Sequence, residues 1–140
     1  MRYIGLDLGS KTLGVATSDF TNTIATTNCT LRCDEGNYEA FLEPLRKIII
    51  EYQIDKIVLG LPKNMDNSLG ERALITLDFK KRLEEYLGLD VIMEDERLTS
   101  VISNNILIKA DLSRKKRKKK LDGIAAQIIL QSYLDKENKK

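Results

Sequence analysis

Residues 3–19 constrain the fold more than any other stretch, because they read as two strands joined by a tight turn, with a carboxylate inside the first strand. Tyr3, Ile4, Leu6 and Leu8 form a short apolar run of the kind buried on both faces of a sheet. Gly9, Ser10, Lys11 and Thr12 supply a turn, and residues 13–17 read as the returning strand. Asp7 interrupts the apolar run. Aspartate is disfavoured in strands, and an isolated buried carboxylate is costly to keep ionised. Such a group is paired, protonated or bound to a cation, or it caps a nearby backbone group. The choice depends on whether other carboxylates converge on it.

The chain then alternates between the two hydrophobic periods. Residues 24–32 are strand-like, and residues 34–37 punctuate them. Phe41, Leu42, Leu45, Ile48, Ile49 and Tyr52 recur at helical spacing, predicting an amphipathic helix over about 37–52. Pro44 inside it marks a kink or a late helix start. Ile57, Val58 and Leu59 centre a buried strand over 54–60. Ser68 and Glu71 fit a capping box that opens a helix to about Leu87, where Gly88 stops it. Val91, Ile92 and Met93 form a fifth strand, and Thr99 or Ser100 can cap a further helix reaching about Lys109. Residues 111–120 read as a connector. Leu121, Ile124, Ala125, Ile128, Ile129 and Ser132 share one face of a last helix. This order predicts a single α/β domain over residues 1–140. Its five-stranded mixed sheet has three antiparallel strands, then two parallel strands reached by helical crossovers, all flanked by helices.

The absence of histidine restricts the chemistry. It removes Ser-His and Cys-His nucleophilic sites and His-ligated zinc. Cys29 and Cys33 lie four apart in one predicted strand, too far separated to bridge, and read as small hydrophobes. No apolar run approaches a membrane span, and the strand-like start is no signal peptide, so a cytoplasmic location and no membrane partner are expected. The net charge of +2 conceals an asymmetry. Arg114, Lys115, Lys116, Arg117, Lys118, Lys119 and Lys120 are consecutive, and without them acidic residues outnumber basic ones. A concentrated cationic block on an acidic body points to a polyanionic partner, with nucleic acid first in line.

Three acidic positions stand out beside that block. Asp7 lies in the first strand, Glu94, Asp95 and Glu96 follow the fifth, and Asp122 falls in the first turn expected of the last helix. Asp122 is on the flank of the apolar stripe near Ala126 and Ile129, so it should look toward the sheet. The alternative is a favourable interaction with the helix N-terminus. Glu94 reads as plain surface. Period-two alternation sends only one of Asp95 and Glu96 to a given face, leaving the choice open. Three converging carboxylates without histidine suit Mg²⁺ or Mn²⁺. Two such ions about 4 Å apart can promote phosphodiester cleavage.

Four blocks carry a resemblance. They are Gly5-Leu6-Asp7-Leu8-Gly9-Ser10-Lys11 with Gly14-Val15-Ala16; Ile57-Val58-Leu59-Gly60-Leu61-Pro62-Lys63-Asn64-Met65-Asp66; Asp95-Glu96-Arg97-Leu98-Thr99-Ser100; and Lys120-Leu121-Asp122-Gly123-Ile124-Ala125-Ala126 with Ile129-Leu130-Gln131 and Tyr133-Leu134. In this order and spacing they resemble the YqgF/RuvX family, the Holliday-junction-resolvase-like pre-16S rRNA nucleases. The resemblance implies an RNase H-like fold and a metal-dependent nuclease site at Asp7, Glu96 and Asp122. It implies a role in maturing the 5′ end of the small-subunit rRNA precursor, with resolution of branched DNA junctions as the alternative. The family pattern has arginine where this chain has Thr12, and an Asp-Gly turn where it has Asp66-Asn67.

The leading expectation is therefore a divalent-metal nuclease. Asp7 would bridge the ions, Glu96 and Asp122 would complete the cage, and Lys11 and residues 114–120 would hold phosphates. Arg97 and Lys63 are further backbone-contact candidates that could equally be surface charges. Asp7-Leu8-Gly9-Ser10 also resembles the phosphate hairpin of actin-type ATPases and sugar kinases, which clasp nucleotide between two such domains. A non-catalytic RNA-binding ribosome-assembly factor is the third possibility, and its binding would be sensitive to salt but not to metal.

Overall fold

The computed structural model describes residues 2–62, 70–95 and 114–138, the last segment with side chains from Ile124 onward. Its centre is β1 (Arg2–Leu8), which pairs antiparallel with β2 (Thr12–Ser18) on one side and parallel with β4 (Ile54–Leu61) on the other. β3 (Ala25–Arg32) adds antiparallel to β2, and β5 (Val91–Asp95) adds parallel to β4. The strand order β3-β2-β1-β4-β5 is the antiparallel-then-parallel sheet that the hydrophobic pattern predicts.

Alternation along β1 divides the interior. Ile4, Leu6 and Leu8 face one core with Leu13, Val15, Ile57 and Leu59. α1 (Leu42–Glu51) and α2 (Glu71–Leu87) close that face through Leu45 and Leu83. Phe41 and Phe79 meet edge-on there, with centroids 6.4 Å apart. Each such side chain removed from water contributes about 1.5–3 kcal/mol. The opposite face is covered by α3 (Arg114–Asn138), whose Ala126, Ile129, Leu130 and Leu134 pack on Ala16, Ala25 and Val58. Tyr3 and Tyr133 stack at a tilt 5.8 Å apart at one end of this contact.

Two side-chain amides seat α3 on the sheet. Gln131 accepts from the Ala25 N–H at 2.8 Å and donates to the Thr23 carbonyl at 2.8 Å. Gln127 donates to the Ala25 carbonyl at 3.0 Å. These bonds satisfy backbone groups at the start of the edge strand β3, which would otherwise need water or another strand.

Some predicted boundaries shift. A short 3-10 turn (Tyr38–Phe41) precedes α1, so Pro44 falls in the first turn of the helix, where its missing N–H costs no intrahelical bond. α2 begins at Glu71 behind Gly70, and the capping-box serine, Ser68, lies outside the described residues. Gly88 ends α2 at φ 69°, in the left-handed region that glycine tolerates. The helix predicted to end near Lys109 also lies outside them.

The cationic block is corrected more substantially. Its backbone is not a connector but the first turns of α3. Lysine and arginine are good helix formers, no Pro interrupts the stretch, and the helix runs on through Gly123 into the apolar stripe that follows. Asp122 consequently sits well inside α3 rather than in its first turn, which removes a helix N-terminal explanation for it. Among the described residues, no helix is long and apolar enough to cross a membrane.

Candidate active site

Asp7 belongs to the face of the sheet that carries α3. Its neighbours Leu6 and Leu8 point into the other core, and Gly5, two residues back, lies directly beneath the helix. Asp7 pairs with Gly14 of β2, and Gly14 pairs with Thr30 of β3. On the parallel side, Leu6 pairs with Leu59, so the next step sets Gly60 at the level of Asp7. Gly60 in turn pairs with Glu94 of β5. One row thus crosses all five strands as Thr30, Gly14, Asp7, Gly60 and Glu94. Neither strand neighbour contributes a side chain beyond hydrogen beside Asp7, which is half-buried.

The helix brings a second carboxylate position toward this row. Tyr133 lies by Tyr3, and Leu130 and Ala126 lie over Gly5, so α3 runs antiparallel to β1. Four residues of helix rise about 6 Å, and two residues of strand advance about 6.8 Å. The helical position one turn before Ala126 therefore falls at the level of Asp7, and that position is Asp122. The cationic turns continue in the same direction, toward the end of the sheet that carries Asp7 and the β1–β2 turn.

That turn is tied down on both sides. Gly9 N–H donates to the Thr12 carbonyl at 2.7 Å, and the Lys11 carbonyl accepts from Cys33 N–H at 2.8 Å. A Cβ on Gly9 would lie 2.7 Å from Thr12 Oγ1, so the turn closes too tightly for a larger residue there. From the α2 side, Arg72 Nη2 donates to the Leu8 carbonyl at 2.7 Å. Arg72 is itself held by helical packing, with the buried Thr76 hydroxyl donating to its carbonyl at 2.8 Å. Lys11 is exposed at the turn.

Glu94 overturns the expectation of a plain surface residue. It is only 6% exposed and is paired with Lys136 of α3, because period-two alternation turns it toward the helix while Met93 enters the other core. Tyr133 stands in the same neighbourhood. Burial and a hydrogen bond to Glu137 push its hydroxyl well above the ordinary tyrosine range, and Tyr3 and Glu94 add to the shift.

Of the sequence-predicted residues, Asp7 and Lys11 are fully described. Asp122 and residues 114–120 are located by the α3 backbone, and Lys63, Glu96 and Arg97 lie outside the described residues. Among the described residues no three acidic or thiol side chains group as a metal cage. The carboxylate of Asp7, flanked by two glycines, offers the oxygen-donor chemistry that a hard divalent ion requires. Sequence reasoning missed Arg72 and Glu94. The parity linking Ile92, Glu94 and Glu96 was the signal available for the second; nothing in the sequence pattern singled out the first.

The family model RuvX, described as Holliday junction resolvase, matches residues 1–136. A protein of Geobacillus sp. (strain WCH70) named "Putative pre-16S rRNA nuclease" is 51% identical over 135 residues, covering 96% of this chain and 98% of its own length. A protein of the same name from Listeria monocytogenes serotype 4b (strain CLIP80459) is 46% identical over 138 residues, covering 99% and 100%. Among solved structures, Thermus thermophilus RuvC in complex with Holliday junction substrate superposes with a TM-score of 0.61 at 10% identity, over 99% of this chain and 96% of that one. That likeness, with the strand order, is an RNase H-like fold.

Proposed function

The chain belongs to the RuvX family, and on that premise we propose that it is a divalent-metal-dependent nuclease that processes the 5′ end of precursor 16S rRNA. The observation that carries the reading is the position of Asp7, set between two glycines, Gly14 and Gly60, on the strands beside it and level with the α3 position of Asp122. The name that the relatives carry, "Putative pre-16S rRNA nuclease", favours RNA as substrate.

Asp7, Glu96 and Asp122 would hold Mg²⁺ or Mn²⁺ through oxygen. Within β5, Glu94 faces α3 and the next position, Asp95, alternates away from it; this argues against Asp95 as the third carboxylate, and the family resemblance gives Glu96. Metal ions held there would supply water activation and charge neutralisation at the leaving oxygen. The protein's own contribution is alignment. Arg72 and the Cys33 N–H fix the strand end and turn around Asp7. The tight seat of α3 fixes the distance from which Asp122 approaches. Lys11 and residues 114–120 draw the substrate backbone to an otherwise acidic site, with Lys63 and Arg97 as further candidates.

The family description supports a second reading, cleavage of branched DNA. The experiment is a cleavage assay with purified protein on a precursor 16S rRNA fragment and on a four-way DNA junction, each with Mg²⁺, Mn²⁺ or chelator. Metal-dependent cutting of the rRNA fragment, with the junction intact, is the expected result. Cutting of the junction alone would favour the second reading, and metal-independent binding without cutting would contradict both.

A further inference from the structure

We propose that Arg32 is a substrate-phosphate contact, holding the nucleic-acid backbone beside the Asp7 row from the neighbouring edge strand. The inference rests on the nuclease reading for its substrate and on strand register for its geometry. Leu31 and Cys29 pack into the core closed by α1 and α2. Arg32 and Thr30 therefore lie on the other face, the one that carries Asp7. Thr30 is in the Asp7 row itself, and Arg32 follows two residues later, directly opposite Thr12. Strands about 4.8 Å apart and a two-residue advance of about 6.8 Å put the Arg32 backbone roughly 12 Å from that of Asp7, a distance spanned by a long side chain and a neighbouring phosphate.

Arg32 is exposed, and its side chain forms no hydrogen bond or ion pair with any described residue. The other exposed arginines with described side chains are committed to acids. Arg82 binds Glu39 and Asp78, and Arg46 binds Glu43. Arg32 instead has Lys11 across the turn and the cationic turns of α3 approaching from the same end of the sheet, and Asp34 and Glu35, which follow it in the chain, form no ion pair with it. A guanidinium on an edge strand with its fork unused is suited to bidentate phosphate binding. Thr12 is too short to reach a phosphate there, and Arg32 supplies the cation from one strand over.

The test measures binding separately from cleavage. Fluorescence anisotropy with a labelled precursor 16S rRNA fragment is run on Asp7→Asn protein, alone and with Arg32→Gln, across a KCl series. Arg32→Gln should weaken binding about 5- to 10-fold and reduce the magnitude of the log–log salt slope by about one. Arg32→Lys should recover part of the affinity, and Thr12→Arg added to Arg32→Gln should recover most of it, because the two positions face each other across the ladder. Arg46→Gln, on the far layer, should change nothing. An unchanged affinity and slope for Arg32→Gln, or an equal loss for Arg46→Gln, overturns the inference and leaves the nuclease reading standing. Should wild-type protein bind but never cut, the nuclease reading fails while the Arg32 effect on binding still decides this one. Absence of RNA binding by the parent overturns both.

Discussion

A Cβ placed on Gly5 would come within 2.6 Å of the Leu130 Cβ and 2.9 Å of the Ala126 carbonyl oxygen. The central strand and α3 thus touch with no room for a methyl group, and the contact sits two strand residues from Asp7 and one helical turn from Asp122. Gly5→Ala forces the helix outward. Overpacking of this kind costs about 1–3 kcal/mol, so the urea midpoint should fall. Cleavage should fall further than the folded fraction, because the lifted helix carries Asp122 away from Asp7. Equal losses in stability and activity would show that the close seat serves only folding.

The Arg72–Leu8 hydrogen bond leads to a different expectation. Arg72→Ala leaves the Leu8 carbonyl without its guanidinium donor, a loss of about 1–2 kcal/mol. Amide hydrogen exchange should accelerate at Gly9 and Thr12, next to Asp7, more than at Leu83 in the opposite core. Arg72→Lys should recover part of the protection. Uniform acceleration through the domain would argue that Arg72 is only a packing residue.

Glu94 and Lys136 form a pair that is asymmetric in burial: the carboxylate side chain is 7% exposed and the lysine 64%. Lys136→Met leaves a buried carboxylate without its partner. The cost should be about 1–2 kcal/mol, below that of a fully buried pair because water screens the lysine side. Adding Glu94→Gln should return much of the loss, since a neutral amide is cheaper to bury than a lone charge. Chemical denaturation of the two single variants and the double variant measures the coupling, and strict additivity would contradict it.

Asp19, in the β2–β3 connection, has its carboxyl pKa lowered to about 2 from 3.8. The Thr21 hydroxyl, donating at 2.6 Å, is the main cause, followed by the N–H groups of Ile24 and Thr23. A carboxylate depressed by folding stabilises the fold above its ordinary pKa, and that contribution is lost as pH falls from about 4 toward 2. A carboxyl-detected NMR titration should place the Asp19 midpoint near 2, and Thr21→Val should raise it. A midpoint at the ordinary 3.8 would contradict the hydrogen-bonded geometry.

Much of this was legible in the sequence wherever the signal was local. The opening hairpin, the five strands and the αL stop at Gly88 follow from alternation, helical spacing and glycine. Asp7 stood out because a charge inside an apolar strand is expensive. Other features needed a partner distant in sequence. Glu94 looked like surface because its cation, Lys136, arrives from 42 residues away on another helix. Arg72 binds a carbonyl 64 residues earlier, which no periodicity in α2 announces. The register that sets Arg32 on the Asp7 face depends on a bulge between Val15 and Ala16, where Asn28 is the extra residue of β3, and alternation counted straight through β3 would lose that step. The cationic block was misread because consecutive charges suggest exposure, yet lysine and arginine readily continue a helix whose apolar part is anchored elsewhere.

In the proposed function, the Asp7 carboxylate would hold the metal at which phosphodiester cleavage occurs. The most direct measurement compares Mn²⁺-dependent cleavage of a precursor 16S rRNA fragment by wild-type protein and by Asp7→Asn, with circular dichroism and thermal melts confirming that both are folded. The account expects the variant to keep its fold and lose more than about 100-fold in rate. Undiminished cleavage by folded Asp7→Asn would contradict it.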